Sequence, residues 1–155
     1  MVISEAAEYI DSTLQREATW ERARIDGEVR YYGASVGAIR GTIRDIHRRY
    51  PGMQHDAMVN LASELWADPV FERRLAAIVL LQSRVPLLDN SDLTRIEGFI
   101  RSARLDTLID PLVADVLTPL IALLDGLDLA RATSVLTRWA SDEDPSLGRV
   151  GRSFR

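Results

Sequence analysis

Apolar residues recur every three to four positions almost from end to end of this chain, and that spacing constrains its fold more than any other feature. The period lines apolar side chains along one stripe of a helix, whereas a half-buried strand needs strict alternation. Ala6, Ile10 and Leu14, with Ala18 beyond them, read as an amphipathic helix over residues 4 to about 23. Arg24 to Gly33 is less regular, with Gly27 and Gly33 bracketing Val29-Arg30-Tyr31-Tyr32. Ser35 can cap a helix through Val36, Ile39, Ile43 and Ile46 that closes at Tyr50-Pro51-Gly52. Another runs from about 54 to 67, with Met58, Leu61, Ala62 and Leu65 on one face.

Asp68-Pro69 has the form of a helix start, an N-cap carboxylate followed by proline at the first helical position. The helix it opens stops before Pro86, and Asn90 or Ser91 caps the next. Asp106 can cap a long helix through Leu108, Leu112, Val116, Leu120 and Leu124. Pro111 is tolerable near its start, but Pro119 must kink or split it. Gly126 precedes a helix over 129–140, and Asp144-Pro145 reads as one more start that meets two glycines. The expectation is an all-α fold of seven or eight helices in one domain over 1–155, with 146–155 able to remain an unordered tail. Helix pairs recur roughly every 35–40 residues, the period of HEAT-like helical repeats. An irregular helical bundle fits the same pattern.

Composition sets bounds on function. With 46% hydrophobic and 27% charged residues the chain has a globular balance, and 155 residues suffice for one core. No run of eighteen apolar residues occurs, so no membrane span is expected. The acidic, amphipathic N-terminus lacks the pattern of a signal peptide, and zero cysteines suit a reducing compartment, so a cytoplasmic location is expected. Net charge is −4, although nucleic-acid binders are usually basic. All 19 basic residues are arginine, a pattern that GC-rich coding produces; arginine also suits bidentate contact with phosphate.

Four stretches, in order, carry a resemblance. They are YYGASVGAIRGTIRDI, ELWADPVFERRLAAIVLL, LDTLIDPLVADVLTPLI and RWASDEDPSLGR, which together cover roughly residues 24–152. They resemble the AlkD-like DNA alkylation repair family. The resemblance implies helical repeats that cradle duplex DNA and hydrolyse the N-glycosidic bond of N3- and N7-alkylated purines, without metal or cofactor. It also implies that the lesion is not drawn into a deep pocket, unlike general base flipping.

The family aspartate falls on Asp110, where a carboxylate can stabilise an oxocarbenium-like transition state and orient water. The family arginine falls on Arg149, which the resemblance places on a backbone phosphate. The sequence departs from the family at its aromatic positions. Asp106 stands where a tryptophan precedes the aspartate by four residues, Ser146 stands for a second aromatic, and Arg24 aligns loosely with a tyrosine. The family normally continues for several more helices, so a shortened DNA-facing surface is expected. A catalytically inactive relative, serving as a DNA-structure-binding or protein-interaction scaffold, is the alternative reading.

Plainer roles stand beside these. Asp110 suits a first helical turn, and Arg149 suits a solvated helix end. Arg40, Arg44 and Arg48 are candidate phosphate contacts, and Arg44, Arg48 and Arg49 also complement a helix C-terminus. Arg73 and Arg74 follow Glu72 and can pair with it locally. Trp66 and Trp139 read as core, Trp20 as a helix-end residue in either role, and Tyr31 and Tyr32 as packing. His47 and His55 lack partners at metal-ligand spacing, and the DEDP stretch at 142–145 reads as a turn.

Overall fold

The computed structural model describes residues 3–19 and 23–155. Contacts divide the chain into two compact units, Met1–Ser83 and Arg84–Arg155, where the sequence pattern reads as one domain. Both units are helical.

The first unit holds α1 (Ile3–Arg16), a hairpin of β1 (Arg24–Asp26) and β2 (Val29–Tyr31), then α2 (Val36–Arg49), α3 (His55–Ala67) and α4 (Phe71–Ser83). Ala6, Ile10 and Leu14 are buried as their spacing requires, but α1 ends at Arg16, short of residue 23. Trp20 lies outside the described residues. Ser35 caps α2 through a bond from the Ala38 N–H to its Oγ, 3.1 Å long. α4 packs against α1, α2 and α3 and is buried on nearly every side, which makes it the centre of this unit.

Burial in α4 includes three charged residues, and buried charge needs partners. Adjacency predicts that Arg73 and Arg74 pair with Glu72; burial sends them elsewhere. Arg73 donates to the carbonyls of Glu64 (2.8 Å) and Leu65 (3.3 Å), and Arg74 to that of Trp66 (3.1 Å). These carbonyls belong to the last turn of α3, where no helical donor remains for them. Glu72 accepts the backbone N–H groups of Tyr32 (2.8 Å) and Gly33 (3.0 Å) and so anchors the segment after β2.

The hairpin is absent from the sequence expectation. Gly27, at φ +60°, takes the first place of a two-residue loop, a position that favours glycine. β2 also meets the α3–α4 connection: the Arg30 N–H donates to the Pro69 carbonyl at 2.8 Å, and Arg30 bridges Val70. This explains why Asp68-Pro69 does not open α4. Asp68 is the extended residue that ends α3, Pro69 and Val70 serve the hairpin, and α4 starts at Phe71.

The second unit begins with short 3-10 turns at Val85–Leu87 and Asn90–Asp92, followed by α5 (Leu93–Ser102) and α6 (Asp106–Leu112). Neither Asn90 nor Ser91 caps α5: Asp92 is its N-cap residue, and Asp89 caps the 3-10 turn that leads into it. The Asp89 carboxylate accepts the Ser91 N–H at 2.8 Å, and the Asp89 N–H donates to the Asp92 carboxylate at 2.9 Å. A wide π turn, Val113–Leu117, joins α6 to α7 (Thr118–Leu123), closed by the Thr118 N–H on the Val113 carbonyl. Proline lacks the donor and its ring crowds the preceding turn, so a wider turn accommodates Pro119 without ending the rod.

α8 (Gly126–Ala140) starts three residues before the expected 129, and α9 (Pro145–Arg152) fills most of the stretch expected as a tail. Asp144 caps α9 by accepting the Leu147 N–H at 3.0 Å, and Pro145 opens the first turn. The two glycines of α9 are contact residues. A Cβ on Gly151 would lie 2.3 Å from the Ala140 nitrogen, so only glycine lets α9 pass the end of α8 so closely. Trp66 in the first unit and Trp139 in the second are core residues. The Trp139 indole N–H is satisfied by Glu97 at 2.8 Å.

Candidate functional site

Asp110 and Arg149 both fall in the second unit, and the fold brings them together. Asp110 sits in the second turn of α6 and Arg149 in the middle of α9. Arg149 Nη1 lies 4.0 Å from Asp110 Oδ1, and both side chains are open to solvent. They rim a depression of about 190 Å³ whose apolar lining includes Ile109, Val113, Ala114 and Val150. That volume is below the usual range for a pocket that encloses a small molecule. The π turn supplies Val113 and Ala114, so the irregularity that absorbs Pro119 also shapes this surface.

The closer partner of Arg149 is Asp106. Arg149 Nη2 donates to Asp106 Oδ1 at 2.7 Å. The sequence pattern makes Asp106 the cap of α6, but Leu105 is the N-cap residue and the Asp106 carboxylate is turned to Arg149 instead. The signal for this cluster lay in the sequence: residues four apart on a helix share a face, which sets Asp106 beside Asp110. Two carboxylates thus meet one guanidinium.

Beside it, α9 is held in place by a second charge network. Arg101 on α5 donates from both terminal nitrogens to Asp142, at 3.1 and 2.6 Å, and from Nε to Glu97 at 3.3 Å. Asp142 also accepts the Asp144 N–H at 2.9 Å, in the turn that caps α9. The hydrogen bond from Arg101, then that from the Asp144 backbone, holds the Asp142 carboxyl below its ordinary range, and the Arg101 guanidinium is raised in turn. The DEDP stretch is accordingly the joint between α8 and α9.

In the first unit Arg40, Arg44 and Arg48 are exposed at four-residue spacing on α2. Arg48 pairs with Asp45 at 3.3 Å, and Arg49 lies over the Tyr9 ring at 4.0 Å. His47 Nε2 is 2.6 Å from Ser83 Oγ, which ties α2 to the end of α4. The residue aligned with the family tyrosine, Arg24, lies over Tyr31 at 4.3 Å, and Tyr31 stacks on Phe71. Tyr32 donates its hydroxyl to Asp11 at 2.7 Å, and Arg73 Nη1 meets the same carboxylate oxygen at 3.1 Å. Partial burial, then the bond to Asp11, pushes the Tyr32 phenol up to about 12. Burial pushes Asp11 up as well, but hydrogen bonds from Tyr32, Arg73 and Gln15 outweigh it and hold the carboxyl below its ordinary range. None of these residues belongs to the Asp110 cluster.

No helix among the described residues is long and apolar enough to cross a membrane. Searches of curated proteins and of solved structures return no match. The family model described as DNA alkylation repair enzyme matches residues 6–154 and so spans both units. The chain therefore belongs to the DNA alkylation repair enzyme family, which gives it a role in DNA alkylation repair with DNA as its partner.

Proposed function

We propose that this protein is a monofunctional alkylpurine-DNA glycosylase that uses Asp110 and Arg149 and needs no metal or cofactor. The observation that carries the reading is the meeting of a carboxylate from α6 and a guanidinium from α9 at the rim of an open, apolar-lined depression. An exposed carboxylate there can face a deoxyribose without the lesion entering a deep cavity. An N3- or N7-alkylated purine is cationic, so it departs as a neutral base with the electron pair of the C1′–N bond. Asp110 stabilises the positive charge that develops on the sugar and orients a water molecule. The water oxygen bonds to C1′ and its proton passes to Asp110 or to solvent, which leaves an abasic site. Arg149 holds a neighbouring backbone phosphate and so fixes the sugar against the carboxylate. Arg40, Arg44 and Arg48 supply further phosphate contacts from α2, a role consistent with their shared exposure.

The bond from Arg149 to Asp106 favours one rival, a family member that binds DNA and releases no base. In that case the carboxylates would serve to restrain the arginine and not to act on a sugar. Release of 7-methylguanine from an alkylated duplex, compared between wild type and Asp110→Asn, separates the two. The glycosylase reading expects release by wild type and a loss of about a hundredfold or more in the variant. Equal inertness of both proteins, with duplex binding that weakens as salt rises, selects the binding-only reading.

A further inference from the structure

We propose that Asp106 is a positioning residue that competes with DNA phosphate for Arg149, so that it sets how tightly this site grips the backbone. The inference rests on the reading of Arg149 as a phosphate contact. Arg149 has two carboxylates within reach, and the one that takes its hydrogen bond is Asp106, at 2.7 Å against 4.0 Å for Asp110. Among the described residues Asp106 makes no other hydrogen bond or ion pair, so its carboxylate is committed to this arginine alone. The cluster of two carboxylates and one guanidinium is net negative. A phosphate approaching Arg149 therefore meets an occupied donor and a repulsive neighbour.

The geometry makes the pair exchangeable. Half of the Arg149 side chain and 69% of that of Asp106 remain exposed, and water can replace either partner as the pair opens. Exposed pairs of this kind are weak, so Asp106 lowers affinity without locking the site. While Asp106 holds the guanidinium, the Asp110 carboxylate is left without a close bond from it. Arg149 is thus parked beside the acting carboxylate until a phosphate replaces Asp106.

The test is a double-mutant cycle on the full chain, read by fluorescence anisotropy with a short labelled, unmodified DNA duplex at low salt. Wild type, Asp106→Asn, Arg149→Gln and the double variant are compared, with Asp106→Ser as a second form should Asp106→Asn fail to fold. The expected result is a two- to fivefold tightening by Asp106→Asn, roughly the worth of an exposed ion pair. Arg149→Gln weakens binding, and Asp106→Asn gains nothing in its background. A gain that persists in the double variant would overturn the proposal, because it would then report only the loss of a negative charge near DNA. No gain from Asp106→Asn while Arg149→Gln weakens binding also overturns it, and leaves the reading of Arg149 intact. If Arg149→Gln leaves affinity unchanged, or no form binds the duplex, the phosphate role of Arg149 fails and this inference falls with it.

Discussion

A side chain on Gly151 would place its Cβ 2.3 Å from the Ala140 backbone nitrogen and 2.8 Å from the Leu136 carbonyl oxygen. Both obstacles are backbone, so neither can turn aside as a flexible side chain would. Gly151→Ala must push α9 away from α8, at a cost of about 1–3 kcal/mol for an overpacked contact. Gly148→Ala is the milder comparison: its nearest obstacle is Arg152 Nη1 at 2.9 Å, the tip of a long side chain, and its nearest backbone atom is the Asp142 carbonyl oxygen at 3.3 Å. Alanine also favours a helix over glycine by about 1 kcal/mol, which offsets the smaller clash. Urea unfolding should rank Gly151→Ala well below Gly148→Ala. Equal midpoints would show that α8 and α9 do not approach this closely.

The cap of α9 gives a second prediction. Asp144 accepts the Leu147 N–H, one of the donors that a helix start leaves unmatched. Asp144→Ala should cost about 1 kcal/mol, and Asp144→Ser should recover most of it. Because α9 carries Arg149, amide exchange should speed up first in the turn from Pro145 to Gly148. Uniform exchange across the second unit would mean that the cap is not a local hold on α9.

Alkaline pH addresses the first unit. The Tyr32 phenol is raised to about 12 in the folded chain, against about 10 when unfolded. A group whose folded value is raised stabilises the fold fully below its unfolded value and loses that contribution as pH rises through the folded one. Stability should therefore decline between about pH 10 and 12, and Tyr32→Phe should flatten that decline. A spectroscopic titration of the tyrosinate band should show a late step from Tyr32. Loss of the late step in Tyr32→Phe assigns it; its persistence would assign it to another ring.

What the sequence revealed and what it hid divide along chain separation. Ser35 and Asp144 were legible as caps because the donor each accepts lies three residues away. The Asp68-Pro69 signal misled because Pro69 and Val70 are engaged by Arg30, far upstream, and local pattern carries no trace of that. The turn at Gly27 is not legible from the pattern, since two three-residue strands leave almost no alternation to read. At the candidate site the resemblance named Asp110 and Arg149, and the fold brought them near each other. In the sequence Asp106 is a substitution and a candidate cap; its bond to Arg149 spans 43 residues and depends on the packing of α9. Gly148 and Gly151 looked like the end of order for the same reason, because glycine marks close approach and chain breaks alike.

The arginine row of α2 gives the last prediction. Arg40, Arg44 and Arg48 project at helical spacing from one exposed face, and Arg48 forms an ion pair with Asp45 in which both side chains are exposed. A pair so exposed holds its arginine weakly, so phosphate can take it over at little cost. Each phosphate neutralised on duplex DNA steepens the fall of log affinity with log salt by about 0.9. Changing all three to glutamine should therefore reduce that slope by up to about 3 and weaken binding at low salt. Thermal stability should barely move, because none of the three is buried. The single change Arg49→Gln, at a guanidinium that lies over Tyr9, should leave the slope nearly unchanged. A triple variant with the wild-type slope would remove α2 from the DNA contact. A loss of slope in Arg49→Gln as large as the loss per residue in the triple variant would reduce the row to general surface charge.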